Sequence, residues 1–344
     1  MRRAPHWLLA AALLGSAAGC SHARARDAAA EKVALAAVAW PAPPASPRVR
    51  LAAVLPDRAA VLDARPWWRK ALDWVTGADA DDAERALVAR PFGVAFADDR
   101  SLVVADPDSQ RVLRLGSSGG AKALECGEVR WSAPMGVTVD AAGAVWVADA
   151  AAGQVVRWTA SRCAVFGRGE LERPTGVAVA PDRIWVVDPP RHQLVAFSTA
   201  GAILARVGER GDGEGRFNYP SGVSRAPSGE LLVVDALNFR VVRLAADGRW
   251  LGAFGAPGDE GGALARPKAA VADAAGTVYV SDAQRDQVLV FGPDGAFSYA
   301  IGETGTGPGR LAHPAGLALQ SGRLAVADSQ NQRVQIFEIL GGNS

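Results

Sequence analysis

The amino-acid sequence predicts an all-β fold made of six copies of one supersecondary unit. The motif Pro-x-Gly-Val, or a close variant of it, begins each copy and returns at intervals of 40 to 47 residues. An Asp follows 14 or 15 residues after each of these prolines, and an Arg or Gln stands five residues beyond each Asp. A repeat of this length with four short strands is typical of one propeller blade. The sequence therefore predicts a six-bladed β-propeller of four-stranded antiparallel blades.

The repeated residues occupy equivalent positions in all six copies. The copies start at Pro91, Pro134, Pro174, Pro220, Pro267 and Pro314. The Asp residues are Asp106, Asp149, Asp188, Asp235, Asp282 and Asp328. The residues five positions later are Arg111, Gln154, Gln193, Arg240, Gln287 and Arg333. Because catalysis needs one asymmetrical arrangement, residues present in every blade are interpreted as structural, holding the turn after the second strand.

Each copy reads as four short strands. In the fourth copy, PSGVSRAPSGELLVVD contains two apolar runs separated by Ser-Gly, and RVVRL alternates as a third strand. Asp247-Gly248 then turns into a fourth strand, RWLGAFG. Ser-Gly and Asp-Gly between β-rich runs are hairpin signals. One blade cannot bury both of its faces, whereas a closed ring of blades can.

The two ends of the propeller, predicted over residues 48–340, are expected to meet in the sixth blade. The last copy ends after its third strand, which leaves an open sheet edge. Residues 48–54 alternate in the manner of a strand and are predicted to supply the missing one. Residues 65–77 have apolar positions, including three tryptophans, near helical spacing. We expect this helix to dock on the propeller, the alternative being a membrane surface.

These motifs resemble the NHL repeat over residues 90–338. The sixth copy, HPAGLALQSGRLAVADSQNQRVQIF, carries nearly the whole family pattern, and so does the fourth with its lead-in GEGRFNYPSGV. The fifth copy departs from it, with Ala269 in place of the glycine. The resemblance implies a six-bladed ring, and most such rings bind proteins, peptides or RNA. It thus implies a binding or scaffolding module, the alternative being a metal-dependent lyase or lactonase that uses the central channel.

The repeats contain little that points to catalysis, to a cofactor or to nucleic acid. His192 and His313 are the two histidines of the propeller, fewer than the three protein ligands that catalytic zinc usually has. The first strands are poor in the carboxylates that a calcium site in the channel needs. A formal net charge of +1 does not predict a nucleic-acid partner. We expect no metal and no cofactor, and an enzyme is disfavoured but left open.

The N-terminal residues resemble a bacterial lipoprotein signal. Two arginines precede an apolar stretch over residues 7–19, which is too short for a permanent membrane span. Ala17-Ala18-Gly19-Cys20 resembles a lipobox, although that motif usually has Leu at its first position. The resemblance implies removal of residues 1–19 and lipid on Cys20, which places the protein in the cell envelope, at the outer membrane. The alternative is ordinary cleavage and a soluble secreted protein.

Residues 20–47 are rich in Ala and Pro and are predicted to form a tether. Cys126 and Cys163 lie 37 residues apart, close to one repeat length, so both fall around the fourth strands of adjacent blades. In an oxidising compartment this pair is a candidate disulfide, the alternative being two buried thiols.

The residue before each repeat's Pro is predicted to line one mouth of the channel. These rim residues are Arg90, Ala133, Arg173, Tyr219, Arg266 and His313. A basic, partly aromatic rim suits an anionic partner such as a carboxylate-bearing peptide or glycan, which Arg can bind in bidentate fashion. The alternative is that the repeated Asp residues neutralise the arginines. The loops after each Asp are expected to frame the same surface through Arg191, Asn238, Arg285 and Asn331.

Overall fold

The structure is a computed structural model that describes residues 33–56, 88–98, 101–116, 120–127, 129–160 and 162–341. These residues form a ring of six antiparallel sheets, which confirms the predicted six-bladed β-propeller. In blades one to five, the four strands follow one another in chain order from the channel to the outer edge. The first strands of neighbouring blades contact each other and surround the central channel.

The strands are as follows. The first strands of the described residues are β1 (Ala39–Trp40) and β2 (Val49–Leu55). Blade one contains β3 (Gly93–Asp98), β4 (Ser101–Asp106), β5 (Arg111–Gly116) and β6 (Ala121–Ala123). Blade two contains β7 (Pro134–Val139), β8 (Val145–Asp149), β9 (Gln154–Trp158) and β10 (Cys163–Phe166). Blade three contains β11 (Gly176–Val179), β12 (Arg183–Asp188), β13 (Gln193–Ser198) and β14 (Ile203–Val207).

The second half of the ring continues in the same way. Blade four contains β15 (Pro220–Arg225), β16 (Leu231–Asp235), β17 (Arg240–Leu244) and β18 (Trp250–Phe254). Blade five contains β19 (Pro267–Ala272), β20 (Val278–Asp282), β21 (Gln287–Phe291) and β22 (Phe297–Ile301). Blade six contains β23 (Pro314–Gln320), β24 (Arg323–Asp328) and β25 (Arg333–Ile339), together with β1 and β2. Pro189–Arg191 and Ala236–Asn238 are 3₁₀ turns, and residues 33–36 form a helical turn.

The second strand of each blade is buried on both faces, because a neighbouring blade packs on each side. All five residues of β16 are buried, for example, and its sequence LLVVD is a continuous apolar run rather than an alternating one. Between blades three and four, Trp185 packs with Leu231 and Val233. The hydrophobic core is thus a set of layers between blades, one at each interface.

Both ends of the described chain meet in blade six. Its sheet has the order β1-β2-β25-β24-β23, and β2 pairs with β25 in antiparallel register, with Leu51 opposite Phe337. β2 covers nearly the residues for which the sequence predicts a closing strand. Val49 and Leu51 are completely buried in the core of this blade. The strand before the first repeat therefore covers the edge that β25 would otherwise expose.

The predicted tether requires a correction. The sequence predicts a tether over residues 20–47, but residues 35–40 pack on blade six, where β1 adds a fifth strand. Trp40 makes an edge-to-face contact with Phe337, with ring centroids 5.5 Å apart. The prediction rested on the Ala- and Pro-rich composition and overlooked three larger apolar residues. The side chains of Leu35, Val38 and Trp40 pack against the core of blade six. The predicted helix at 65–77 and the predicted lipid site Cys20 lie outside the described residues.

The glycine of the repeat motif lies where the first strands of adjacent blades approach most closely. A Cβ on Gly93 would lie 2.2 Å from the carbonyl oxygen of Met135, and one on Gly316 would lie 2.4 Å from that of Phe92. The fifth copy has Ala269 at this position, and the buried Ser281 hydroxyl contacts both the Ala269 N–H and the carbonyl of the next blade. The glycine of the motif is therefore explained by close backbone packing between blades and not by a catalytic role.

The channel has a narrow and a wide end. Where the first strands begin, it narrows to a throat of about 70 Å³, and at the other end it opens into a chamber of about 930 Å³. Blades one and two are joined near their outer edges by a disulfide between Cys126 and Cys163, whose Cα atoms are 5.8 Å apart. Within the described part of the chain, no helix has the length and apolar character to cross a membrane.

Candidate functional site

Each repeated Asp lies completely buried at the end of the second strand of its blade. In the strand register it faces the residue five positions later, as in the pairs Asp235–Arg240 and Asp328–Arg333. Its carboxylate accepts hydrogen bonds from backbone N–H groups just before the Pro of the same copy. In blades one and five it also accepts from the turn after the second strand. The Asp thus holds the turn into the innermost strand, a role beyond the one inferred from sequence.

The rim residues adopt two backbone conformations. In blades one, two, three and five, the N–H of the rim residue donates to the Asp of its own blade, as Arg90 does at 3.1 Å. In blades four and six, the rim residues Tyr219 and His313 instead have left-handed conformations, with φ of 55° and 52°. Their N–H groups donate to the previous blade, Tyr219 to Nδ1 of His192 at 3.1 Å and His313 to Asp286 at 2.8 Å. These two rim residues thus connect neighbouring blades.

Arg240 and Arg333 anchor the Gly-rich connectors that lead into blades four and six. Each donates from Nε to the Asp of its blade, at 2.8 and 2.7 Å. The remaining nitrogens of the two guanidinium groups donate to backbone carbonyls of residues 212–216 and 306–310. Five donors in one planar group suit such a curved strip of carbonyls. The structure therefore gives these two arginines a role in the fold.

The arginine side chains of the rim, in contrast, are exposed at the mouth. Arg90 forms one ion pair, from Nη1 to Asp108 at 3.6 Å, in which both side chains are half exposed. For Arg173 and Arg266, no carboxylate of the described residues lies within ion-pair distance. The repeated Asp residues do not neutralise these cations, because their oxygens are occupied by backbone N–H groups.

Lys268 adds a positive charge that the sequence analysis missed. It is the second residue of the fifth copy and lines the throat just inside the rim. Burial lowers the pKa of its ammonium group, and Arg266 and Arg90 lower it further, while Asp282 acts in the opposite direction. Lys268 is the charged member of the second positions of the six copies, the others being Phe92, Met135, Thr175, Ser221 and Ala315. The charge of Lys268, at a position where the other five copies have uncharged residues, is the sequence feature that could have identified it.

The loops after the repeated Asp residues require a correction. The sequence predicts that these loops frame the binding surface through Arg191, Asn238, Arg285 and Asn331. Asn238 donates to the carbonyl of Gly211 at 2.8 Å, and Arg285 donates to that of Gly258 at 2.7 Å. Arg191 and Asn331 are held in a similar way. These groups therefore fasten the connectors between blades and contribute to the fold, and the Arg191 side chain is exposed as well.

An aromatic and apolar sector lies beside the positive charges. Tyr219 is 42% exposed, and the His192 ring meets it edge-on with ring centroids 5.7 Å apart. Leu237, which is 53% exposed, donates its N–H to the carbonyl of Asn218 next to Tyr219. The mouth thus presents apolar surface at blade four, between the rim arginines of blades three and five. Among the described residues, no three His, Cys, Asp or Glu side chains group as metal ligands.

The comparisons with known proteins agree with this fold. Residues 311–337 match the NHL repeat. The chain is therefore a six-bladed β-propeller that carries an NHL repeat in its sixth blade. No curated protein matches the sequence.

Solved structures of low sequence identity share the architecture. A virginiamycin B lyase from Staphylococcus aureus is 13% identical, with a TM-score of 0.55 over 73% of this chain and 95% of that one. A gluconolactonase from Xanthomonas campestris is 18% identical, with a TM-score of 0.56 over 73% and 86%. An auxiliary nutrient binding protein from Bacteroides thetaiotaomicron is 11% identical, with a TM-score of 0.59 over 73% and 69%. At these identities the similarity concerns the fold alone.

Proposed function

We propose that this protein is a binding module of the bacterial cell envelope whose positive mouth binds an anionic group on a protein, peptide or glycan. The observation that carries the proposal is the grouping of exposed Arg90, Arg173 and Arg266 around the throat that Lys268 lines. One guanidinium group can donate two parallel hydrogen bonds to a carboxylate. Several such groups around one opening suit a partner with more than one carboxylate.

The electrostatics of Lys268 favour the same conclusion. Its pKa is lowered by burial and by the two neighbouring arginines, so its charged form is disfavoured in the free protein. A bound carboxylate would stabilise the charged form and raise that pKa. Affinity for an anion should therefore increase as the pH falls toward the pKa that Lys268 has in the free protein, and should level off below it.

Membrane attachment is part of the proposal. The N-terminal residues resemble a lipoprotein signal, and lipid on Cys20 would tether the propeller outside the cytosol through the segment that leads to blade six. Substituting Cys20→Ser should move the protein from the membrane fraction to the soluble fraction of fractionated cells. A variant that still sediments with membranes would show that the attachment lies elsewhere.

An enzyme is the alternative function, and the lyase and the lactonase among the solved neighbours support it at the level of the fold. Such a reaction in the channel would need a metal ion. The metal content of the purified protein distinguishes the two functions, since about one tightly held ion per chain would favour the enzyme.

The binding proposal is tested by removing the rim charges. The probes are a fluorescein-labelled oligoglutamate peptide and an oligogalacturonate, measured by anisotropy and by displacement. Substituting Arg90, Arg173 and Arg266 together by Ala should weaken binding at least tenfold and flatten its salt dependence. The melting temperature should stay nearly unchanged, because these side chains are exposed.

A matched control removes three exposed cations elsewhere, Lys122, Arg162 and Arg249, again by substitution with Ala. This control has the same net charge as the rim variant and should keep the wild-type affinity. Equal losses in the two variants would show that overall charge, and not the mouth, attracts the probes. A rim variant that loses stability but keeps its affinity would place the arginines in the fold.

A further inference from the structure

The end of the channel opposite the basic mouth contains a chamber of about 930 Å³, which the proposed function does not use. Its floor is a ring of partly exposed aliphatic side chains from blades two to six, namely Val139, Val179, Val223, Val271 and Leu319. Phe166, which is partly exposed, adds aromatic surface to its wall. Small-molecule sites are typically cavities of about 300–1,000 Å³ with mostly apolar walls and a few polar groups. The chamber has a volume in this range, and its lining combines apolar surface with a larger share of polar surface.

Two guanidinium groups supply the positive charge of the chamber. Arg157 lies over the ring of Trp146, 5.5 Å from its centroid, and its side chain is 37% exposed. Its nearest carboxylate is that of Asp140, at 3.9 Å. That carboxylate already accepts hydrogen bonds from Nε1 of Trp146 at 2.9 Å and from two backbone N–H groups. Within the described part of the chain, the guanidinium group of Arg157 thus donates no short hydrogen bond.

Arg225 is the second cation of the chamber wall. It ends β15 with its side chain exposed, and no carboxylate of the described residues lies within ion-pair distance of it. Asp140 is the acidic residue among the described residues of the lining, so cations outnumber acids in the chamber. A cationic ligand would be repelled, and a neutral apolar ligand would leave both guanidinium groups unpaired.

We propose that this chamber binds an amphipathic organic anion, with an apolar body against the aliphatic floor and a carboxylate or sulfonate facing Arg157 and Arg225. The aliphatic ring removes apolar surface of the ligand from water. The guanidinium groups form charge-assisted hydrogen bonds with its anionic group. The site is distinct from the basic mouth, because the two open at opposite ends of the channel.

The probe for the test is 1-anilinonaphthalene-8-sulfonate, which joins aromatic rings to one sulfonate and fluoresces when it leaves water. Titration into the full-length protein should show saturable binding at one probe per chain. Decanoate should displace the probe, whereas decan-1-ol at the same concentration should displace it far less. The double variant Arg157→Gln/Arg225→Gln should bind the probe about tenfold more weakly, while keeping the wild-type melting temperature.

Further variants keep the proposal falsifiable. Ala318→Trp adds bulk to the chamber wall and leaves both arginines in place, so it should also weaken binding. Arg162→Gln/Arg249→Gln and the triple rim variant lie outside the chamber and should bind the probe as the wild type does. Unchanged affinity in chamber variants that melt cooperatively would overturn the proposal. Loss of binding in the rim variant alone would assign the probe to the basic mouth, and equal displacement by decanol would overturn the role of the anion.

Discussion

Arginine residues on one face of the propeller have two roles, and burial distinguishes them. The Arg240 side chain is 15% exposed, and it bonds to a completely buried Asp235 and to a strip of connector carbonyls. Arg90 is half exposed, with one long ion pair. A buried, fully bonded guanidinium group is not replaceable by Lys, because an ammonium group cannot reproduce its planar set of donors. The exposed rim arginines have no such constraint, so their side chains are free to bind a partner.

The residue-scale prediction concerns Lys268. At neutral pH the native state holds its ammonium group where burial and two arginines disfavour the charge. Lys268→Met should therefore raise the melting temperature by a few degrees and weaken binding of the oligoglutamate probe. Thermal melts across pH check this result. Because the folded-state pKa is lowered, the cost is full below that pKa, and the difference between variant and wild type should shrink as pH rises through it.

Lys122→Met is the matched control for this experiment. Lys122 is an exposed lysine on β6, so its loss should change neither the melting temperature nor the affinity. A Lys268→Met protein that is less stable than the wild type at neutral pH would show that the ammonium group is well solvated or paired in the throat.

At the scale of the strand, the innermost strands determine how closely the blades pack. The motif glycines let the backbones of adjacent first strands meet without side chains between them. Hydrogen bonds then pass around the ring from blade to blade, as from the Thr175 hydroxyl to the carbonyl of Ser221 and from the Gly316 N–H to that of Phe92. The narrow throat follows from this close approach.

The strand-scale prediction is that Gly93→Ala lowers the free energy of unfolding by about 3 kcal/mol. The added methyl would lie 2.2 Å from the Met135 carbonyl oxygen, so the first strands of blades one and two would have to separate. Ala269→Gly is the matched control at the equivalent position of the fifth copy and should cost about 1 kcal/mol or less. Urea titrations measure both changes. Equal costs at the two positions would argue against close backbone packing as the reason for the glycine.

Local pattern was sufficient to predict the blades, because hairpin turns and apolar runs are encoded within one repeat. The same pattern did not predict the contacts that residues of one blade make with residues of another. The left-handed conformation of Tyr219 depends on His192, which lies 27 residues earlier. The position of Lys268 beside Arg90 depends on closure of the ring. The contact between Trp40 and Phe337 also depends on closure of the ring. The Ala- and Pro-rich sequence around Trp40 gave no indication of a strand.

At the scale of the whole molecule, the propeller is one closed ring that depends on a segment from before its first repeat. Six of the seven residues of β2 pair with β25, and β1 pairs with β2 in turn. A sixth blade without them would expose the edge of β25 and the core beneath it. Each blade of the ring packs on two neighbours. A loosened sixth blade therefore weakens its interfaces with both blade five and blade one.

The last prediction is that a chain starting at residue 57 loses the stability of the ring. Val49 and Leu51 are completely buried, and Trp40 packs on the same core. Burying one large apolar side chain contributes roughly 1.5–3 kcal/mol, so losing three removes roughly 5–9 kcal/mol, which is comparable to the whole stability of a typical domain. The truncated protein should therefore melt far below the full-length chain or without cooperativity. A synthetic peptide of residues 33–56 should restore the transition, whereas the same peptide with Leu51→Asp should not. A truncated protein that melts cooperatively at the full-length temperature, with no effect of either peptide, would show that β23, β24 and β25 close the ring by themselves.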